Sequence, residues 1–251
     1  MLEINEIFGP SIQGEGKYSG VPSIFIRFSR CNLRCRNFGV KYRKPDGSID
    51  YLCDTYYAVD PVFKNDWMKY ESAGDLIREV DKLVPLEYKP HIVITGGEPL
   101  LNWKDKQFQK LLKHYIKNKF QITIETNATI DIKFTKKYQK KILFSMGVKL
   151  ANCGEPLEKR VRIKAISNII KKTKNSYLKF VIDKNFVFDT QKEIEDILKT
   201  LPKTKVYLMP LGDCKQNLEQ NVKTTVNLAV EKGFLYSDRL HIRIWDNKKG
   251  V

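Results

Sequence analysis

Six short runs of apolar, β-branched and aromatic residues punctuate the chain: PSIFIRFS (22–29), HIVITG (91–96), FQITIET (120–126), KILFSMGV (141–148), YLKFVI (177–182) and KVYLMP (205–210). Their length and composition predict strands. Between most of them the apolar positions recur with the helical period, in AGDLIREVDKLV (73–84), DKQFQKLLKHYIK (105–117), LEKRVRIKAISNIIKK (157–172), TQKEIEDILKTL (190–201) and NLEQNVKTTVNLAVEKG (217–233). Alternating strands and helices predict an α/β fold with a parallel sheet and crossover helices, and six strands suit an incomplete (β/α)6-type barrel better than a closed eight-stranded one. Residues 36–72 break the alternation. They are rich in tyrosine, carry the turn signal KPDG (44–47), and read as an insertion at the strand ends. RLHIRIW (239–245) alternates in its turn and predicts one more strand, closing the sheet or lying beside it. No repeat or low-complexity linker interrupts residues 1–251, so a single domain is expected.

Composition narrows the class. An apolar content of 42% suffices for a buried core. The first ten residues, MLEINEIFGP, lack the pattern of a secretory signal, and no run reaches the length of a membrane span, so a cytoplasmic protein without membrane association is expected. Cytosolic thiols stay reduced, and five cysteines, three of them clustered, then favour metal or redox chemistry over disulfides. The net charge of +16 invites a nucleic-acid reading. The lysines are nonetheless spread over polar helical faces, as in KDKQFQKLLKHYIKNK (104–119), with no basic tail, and this favours a solvated surface over direct nucleic-acid binding.

Two loops carry candidate chemistry. Cys31, Cys35 and Cys53 follow the first of the six runs. Three thiolates are one short of the set that encloses a four-iron cluster and leave one iron open to a ligand. The alternative is a structural zinc with Cys153 or Cys214 as fourth ligand, although such sites usually pair their ligands as CxxC. The second loop is ITGGEP (94–99), at the end of the next run, where Gly96 and Gly97 permit close backbone approach and Glu98 offers a carboxylate.

The thiol loop after one strand and GGEP after the next resemble the radical S-adenosylmethionine (SAM) enzymes. The resemblance narrows with FGPSIQGEGKYSGVPSIFIRFSRCNLRC (8–35), the Cys-Asp-Thr at 53–55, ETNAT (125–129) and VKLANCGEP (148–156). Together these are similar to the 7-carboxy-7-deazaguanine synthase family of queuosine and deazapurine biosynthesis. That resemblance implies a 4Fe-4S cluster, SAM and Mg2+ as cofactors, and a lyase reaction converting 6-carboxy-5,6,7,8-tetrahydropterin to 7-carboxy-7-deazaguanine with loss of ammonia. It also implies an electron donor such as flavodoxin or ferredoxin, and a homodimer. The family loop is usually CxxxCxxC, which would place the third cysteine at Phe38. Here Cys53 carries the Asp-Thr that follows the last ligand, and residues 36–52 become an insertion within the loop. Val148 and Cys153 stand where proline and serine are often found, and Trp245 stands where some members have histidine.

The same resemblance assigns roles residue by residue. Cys31, Cys35 and Cys53 would hold the cluster and Thr55 the magnesium. Gly96, Gly97, Glu98, Thr126, Asn127, Ser145 and Lys149 would contact SAM, with Glu98 receiving its amino group. Gln13, Gly14, Glu15 and Arg27 would hold the pterin, Glu15 accepting from its guanidine-like edge and Arg27 facing its carboxylate. A charge on a strand among apolar residues, such as Arg27, needs an anionic partner in any case, whether substrate or salt bridge. The alternatives are a glycyl-radical-activating type of radical SAM enzyme, which shares the cluster and GGEP, and a zinc-stabilised RNA-binding protein.

Overall fold

A computed structural model describes residues 1–251. Eleven strands form: β1 (Leu2–Ile12), β2 (Pro22–Phe28), β3 (Val40–Arg43), β4 (Ile49–Leu52), β5 (Met68–Tyr70), β6 (His91–Gly96), β7 (Ile122–Thr126), β8 (Leu143–Gly147), β9 (Tyr177–Ile182), β10 (Lys205–Pro210) and β11 (Leu235–Tyr236). The helices are α1 (Tyr56–Val59), α2 (Ala73–Asp81), α3 (Lys106–Lys117), α4 (Leu157–Arg160), α5 (Ile163–Lys172), α6 (Val187–Lys199), α7 (Lys215–Lys232) and α8 (Leu240–Trp245). Nine strands make one sheet in the order β11-β10-β9-β8-β7-β6-β2-β1-β5. The stretch from β2 to β11 is parallel, and β1 and β5 add antiparallel at one end. The sheet is open and does not close into a barrel.

All six expected strands form, because each run has a core face and a second face with different work. On β2, Ile24, Ile26 and Phe28 are buried in the main core, whereas Phe25 and Arg27 turn the other way. On β9 the same alternation buries Leu178, Phe180 and Ile182 and turns Lys179 and Val181 away. The helices cover the core face, their apolar stripes supplying Leu76 and Val80 from α2 and Phe108, Leu111 and Leu112 from α3. Local capping fixes where they start: the Ser72 hydroxyl accepts from Asp75 N, and the Asp105 carboxylate from Gln107 N and Phe108 N.

Three expectations need correction. The helical segment expected over 157–172 is two helices, α4 and α5, because Arg160 turns inward. Its guanidinium donates to the Glu155 and Lys149 carbonyls at 3.0 Å each and pairs with Glu193, and Val161 is extended. The segment 239–245 is helix α8, not a strand. β11 already occupies the edge beside β10, while Leu240 N donates to the Gly14 carbonyl at 2.9 Å and Ile242 N to the Arg239 carbonyl at 2.9 Å, winding the chain up. The insertion at 36–72 is also less separate than expected: β3 and β4 form their own hairpin, but β5 joins the main sheet against β1. The KPDG turn does close the hairpin, with Lys44 N donating to Ser48 O at 2.8 Å. No helix is long and apolar enough to cross a membrane.

Below the second face of the sheet, Leu143, Tyr177 and Tyr207 pack with Tyr18 as an apolar floor. His91 lies beside it, 4% exposed, with Nε2 and Thr123 Oγ1 2.7 Å apart and the Tyr18 ring tilted at 50° with its centroid 4.6 Å away. Burial pushes the imidazole pKa down to about 4. A folded-state value below the unfolded one, near 6.5, stabilises the fold fully above about pH 6.5 and loses that contribution as the pH falls toward 4. The urea midpoint should therefore drop between pH 7 and pH 4.5, and drop less in His91→Leu. Equal drops in the two proteins would show that His91 does not carry the effect.

Candidate active site

The second face of the parallel strands, with the loops at their carboxyl ends, encloses a cavity of about 630 Å³. Its wall follows from strand alternation: Arg27, Thr95, Glu125, Ser145 and Lys179, one polar residue from each of five adjacent strands, project on the side opposite the core. Gln13, Gly14, Glu15, Arg27, Cys31, Cys35, Cys53, Thr55, Gly96, Gly97, Thr126, Asn127, Ser145 and Lys149 all line this one space. Residues as far apart in sequence as Gln13 and Lys149 therefore share a single site.

The thiols sit at one end. Leu33 N lies 3.4 Å and Asn127 Nδ2 3.8 Å from Cys31 Sγ, and Thr55 Oγ1 lies 3.4 Å from Cys53 Sγ. Burial, with Glu98 nearby, raises the Cys31 thiol to about 12; the Cys153 thiol packed beside it and burial raise Cys35, and burial raises Cys53. Such sulfurs ionise only when a cation binds them. Three thiols lining one end of the cavity, with N–H donors at Cys31 and an O–H at Cys53, fit a cluster, whose corners carry one thiolate each and whose sulfurs are stabilised by such donors.

The glycine loop abuts the thiol loop. Gly96 has φ +125°, and a Cβ on Gly97 would overlap the Arg30 carbonyl and meet Cys31 N at 3.0 Å, so only glycine lets GGEP seat against the chain entering the cysteine segment. Glu98 departs from expectation. It is 0% exposed and does not line the cavity; Oε1 accepts from Leu100 N at 2.9 Å and Thr126 Oγ1 at 2.7 Å, and Oε2 from Asn127 N at 2.7 Å. The carboxylate is closed to a ligand because it ties the loop after β6 to the loop after β7. Ser145 Oγ, by contrast, is buried with no protein partner and lines the cavity. Lys149 makes no ion pair and lies 5.7 Å above the Phe38 ring. An orphaned hydroxyl and an unpaired ammonium beside the thiols fit a polar, anionic cofactor. The Thr55 hydroxyl, at the start of α1, makes no capping bond and stays available to a metal.

The far end is charged. Arg27 Nε pairs with Glu6 Oε1 at 2.6 Å and the guanidinium lies 5.8 Å from the Tyr57 ring, so the structural ion pair forms, while both terminal nitrogens have no protein acceptor. Glu15 is not the free acceptor expected of it. Its carboxylate pairs with Lys179 and with Arg239 Nε at 2.9 Å, and His241 Nε2 is 4.0 Å away. Arg239 reaches on to Asp54 Oδ2 at 2.7 Å. Burial would raise the Glu15 pKa, but the two cations overcome it and hold the carboxyl well below its usual range. Gln13 Nε2 donates to Glu125 Oε1 at 3.2 Å, and Thr95 Oγ1 to Glu125 Oε2 at 2.8 Å.

Asp54, Glu125, Lys179, Arg239 and His241 complete the wall and were not singled out in the sequence. Lys179 and Glu125 carry the signal that marked Arg27, a charge inside an apolar strand. Arg239 and His241 gave none, because their segment reads as a strand whose polar residues would face solvent.

The Radical SAM superfamily profile matches residues 25–201. A 7-carboxy-7-deazaguanine synthase of Rhodopirellula baltica is 30% identical over 264 aligned positions, covering 100% of this chain and 89% of that protein. One from Halobacterium salinarum is 30% identical, covering 98% and 91%. The crystal structure of QueE from Escherichia coli superposes with a TM-score of 0.67 over 96% of this chain and 94% of that one, at 22% identity, and so speaks for the fold.

Replacing Glu98 by Gln would set an amide N–H2 against one of the donors the carboxylate now satisfies. The expected loss is about 1–3 kcal/mol of stability by urea titration. An unchanged midpoint would mean that the carboxylate does not brace the two loops.

Proposed function

Because the chain belongs to the radical SAM superfamily and, within it, to the 7-carboxy-7-deazaguanine synthases, we propose that it converts 6-carboxy-5,6,7,8-tetrahydropterin to 7-carboxy-7-deazaguanine with loss of ammonia. The observation that carries this reading is the division of one cavity into a thiol end and a charged end. A 4Fe-4S cluster and SAM, when bound, would supply a one-electron cleavage yielding a 5′-deoxyadenosyl radical. The protein's own work is placement.

Cys31, Cys35 and Cys53 would each hold one corner of the cluster, leaving the fourth open to the cofactor. With the Glu98 carboxylate closed off, backbone groups of Gly96 and Gly97 are the ones exposed to an amino group there. Lys149, lacking any carboxylate partner, suits the cofactor carboxylate; Ser145, Thr126 and Asn127 offer hydroxyl and amide contacts around it. At the other end the two unpaired nitrogens of Arg27 match a substrate carboxylate bidentately. Glu15 keeps a spare lone pair on each oxygen after its ion pairs form, so it can still accept from a pterin amino group. Gln13 and Gly14 shape that rim, Gly14 because a Cβ there would run into the His241 imidazole. Thr55 would present its hydroxyl to Mg2+, with substrate oxygens as further ligands. A flavodoxin or ferredoxin as electron donor, a homodimer and a cytoplasmic location belong to the same reading and rest on the family resemblance.

The two ends should separate experimentally. In Arg27→Ala and Glu15→Gln, dithionite-driven cleavage of SAM should continue, while formation of 7-carboxy-7-deazaguanine falls by about tenfold or more, the loss that follows removal of a charged hydrogen-bond partner. Mass spectrometry of 5′-deoxyadenosine and of the deazaguanine in one reaction measures both. Near-normal deazaguanine formation in both variants would mean that other residues hold the substrate.

A further inference from the structure

Two segments without a role in holding iron, SAM or pterin meet over the cavity: the tyrosine pair Tyr56 and Tyr57 at the start of α1, and residues 246–251 beyond α8. Both line the cavity. Residues 246–250 are also exposed to solvent, and a segment that faces cavity and solvent together lies across the mouth.

One end of this segment is fixed. Asp246, at φ +57°, turns the chain back from α8; its N donates to the Ile242 carbonyl at 2.9 Å, and its Oδ1 accepts from Lys215 N, at the first residue of α7, at 2.7 Å. Cys214, before α7, gives no side-chain cap, so Asp246 supplies that acceptor. A positive φ outside glycine persists only where the surroundings hold it, and here the end of α7 does. Lys248 N still reaches the Trp245 carbonyl at 3.3 Å, and no backbone hydrogen bond holds the chain beyond it.

The other end rests on a single side chain. Lys249 Nζ lies 3.8 Å from the Tyr57 ring centroid and 4.9 Å from that of Tyr56, and donates to Tyr56 Oη at 3.4 Å. The two rings stand at right angles with centroids 5.4 Å apart, and Tyr56 stacks on Tyr42 of the β3–β4 hairpin at 4.3 Å. Lys249 thus sits in an aromatic corner backed by the hairpin. Tyr57 leads from there to the charged end of the cavity: its ring lies 5.8 Å from the Arg27 guanidinium, and its Oη donates at 3.5 Å to Glu6 Oε1, the partner of Arg27.

We propose that residues 246–251 form a strap over the substrate end and that Lys249 is its latch, given Arg27 as the contact for the substrate carboxylate: seated on Tyr57, Lys249 holds that ring beside Arg27 and slows the escape of a bound pterin. Lys249 is a positioning residue that acts through Tyr57. Because the far end has one attachment, releasing Lys249 opens the mouth while Asp246 keeps the hinge. An ammonium is drawn to a ring face by its charge and the π system, so arginine can replace Lys249 and alanine cannot.

The test uses the full chain reconstituted anaerobically with iron, sulfide and SAM, as wild type, Lys249→Ala, Lys249→Arg, Tyr57→Leu and the Lys249→Ala/Tyr57→Leu double variant. Equilibrium dialysis without reductant gives the dissociation constant of 6-carboxy-5,6,7,8-tetrahydropterin, and steady-state turnover gives KM and kcat. Lys249→Ala should weaken binding and raise KM by about fivefold while kcat changes by less than about twofold, and Lys249→Arg should bind as wild type does. The double variant should bind no more weakly than Tyr57→Leu alone, because the latch has nothing to seat on once the ring is gone. Wild-type binding by Lys249→Ala, or additive losses in the double variant, would overturn the latch and leave the substrate assignment standing. Absence of both pterin binding and pterin conversion in wild type would overturn the proposed activity and the latch with it.

Discussion

The upper half of the cavity depends on keeping buried charge paired. Lys179, Glu15, Arg239 and Asp54 form a continuous row of alternating sign, in which Lys179, Glu15 and Arg239 side chains are 9–12% exposed. Burying any one alone would cost several kcal/mol, and breaking such a row by removing one member leaves an uncompensated charge in a poorly hydrated place. Burial opposes the charged forms, yet Lys179 and Arg239 are both held above their ordinary pKa values by the facing carboxylates. What the row connects matters more than its net energy. Lys179 belongs to β9, Glu15 to the loop after β1, Arg239 to the start of α8, and Asp54 directly follows Cys53. Four segments remote in sequence are thereby held over one cavity, and the last of them carries an expected iron ligand.

Beneath that row, the period of two does the sorting. Each of the parallel strands β2, β6, β7, β8 and β9 gives its larger apolar residues to the helix-covered core and spares one polar residue for the cavity: Arg27 beside Phe28, Thr95 beside Ile94, Glu125 beside Ile124, Ser145 beside Phe144, Lys179 beside Phe180. A one-residue slip in any strand would bury the polar residue in the core and expose the apolar one to the cavity. The same constraint thus fixes strand register and builds the site wall.

This sorting explains how much was legible in the sequence. The six central strands and the glycine and cysteine loops announce themselves, because apolar runs bounded by special residues are local signals. β1 went unread as a strand: LEINEIFGPSI mixes charge with apolar residues because part of it faces Arg27 and Arg30, its ion-pair partners through Glu6 and Glu3. The 239–245 segment misled for a tertiary reason, since a neighbouring strand had already taken the sheet edge. Glu98 misled most instructively. A carboxylate after two glycines suggests a ligand contact, but whether it faces the cavity or the neighbouring loop depends on Thr126 and Asn127, which lie 28 and 29 residues further along.

The long spacing between Cys35 and Cys53 follows from the same economy of faces. The hairpin β3–β4 fills it, and its inner face sets Tyr42 and Leu52 against Val59, next to Cys31 and Cys53. Tyr42 Oη donates to Asp60 Oδ2 at 2.5 Å, tying the hairpin to the end of α1. Its outer face, Lys41, Arg43, Ile49 and Tyr51, is exposed. Closing a longer loop costs entropy only logarithmically in its length, and here a packed hairpin brings its own contacts to offset that cost. Seventeen residues can therefore stand between two thiols that line one cavity, because the buried face of the hairpin, whatever the number of residues in it, packs beside Cys53.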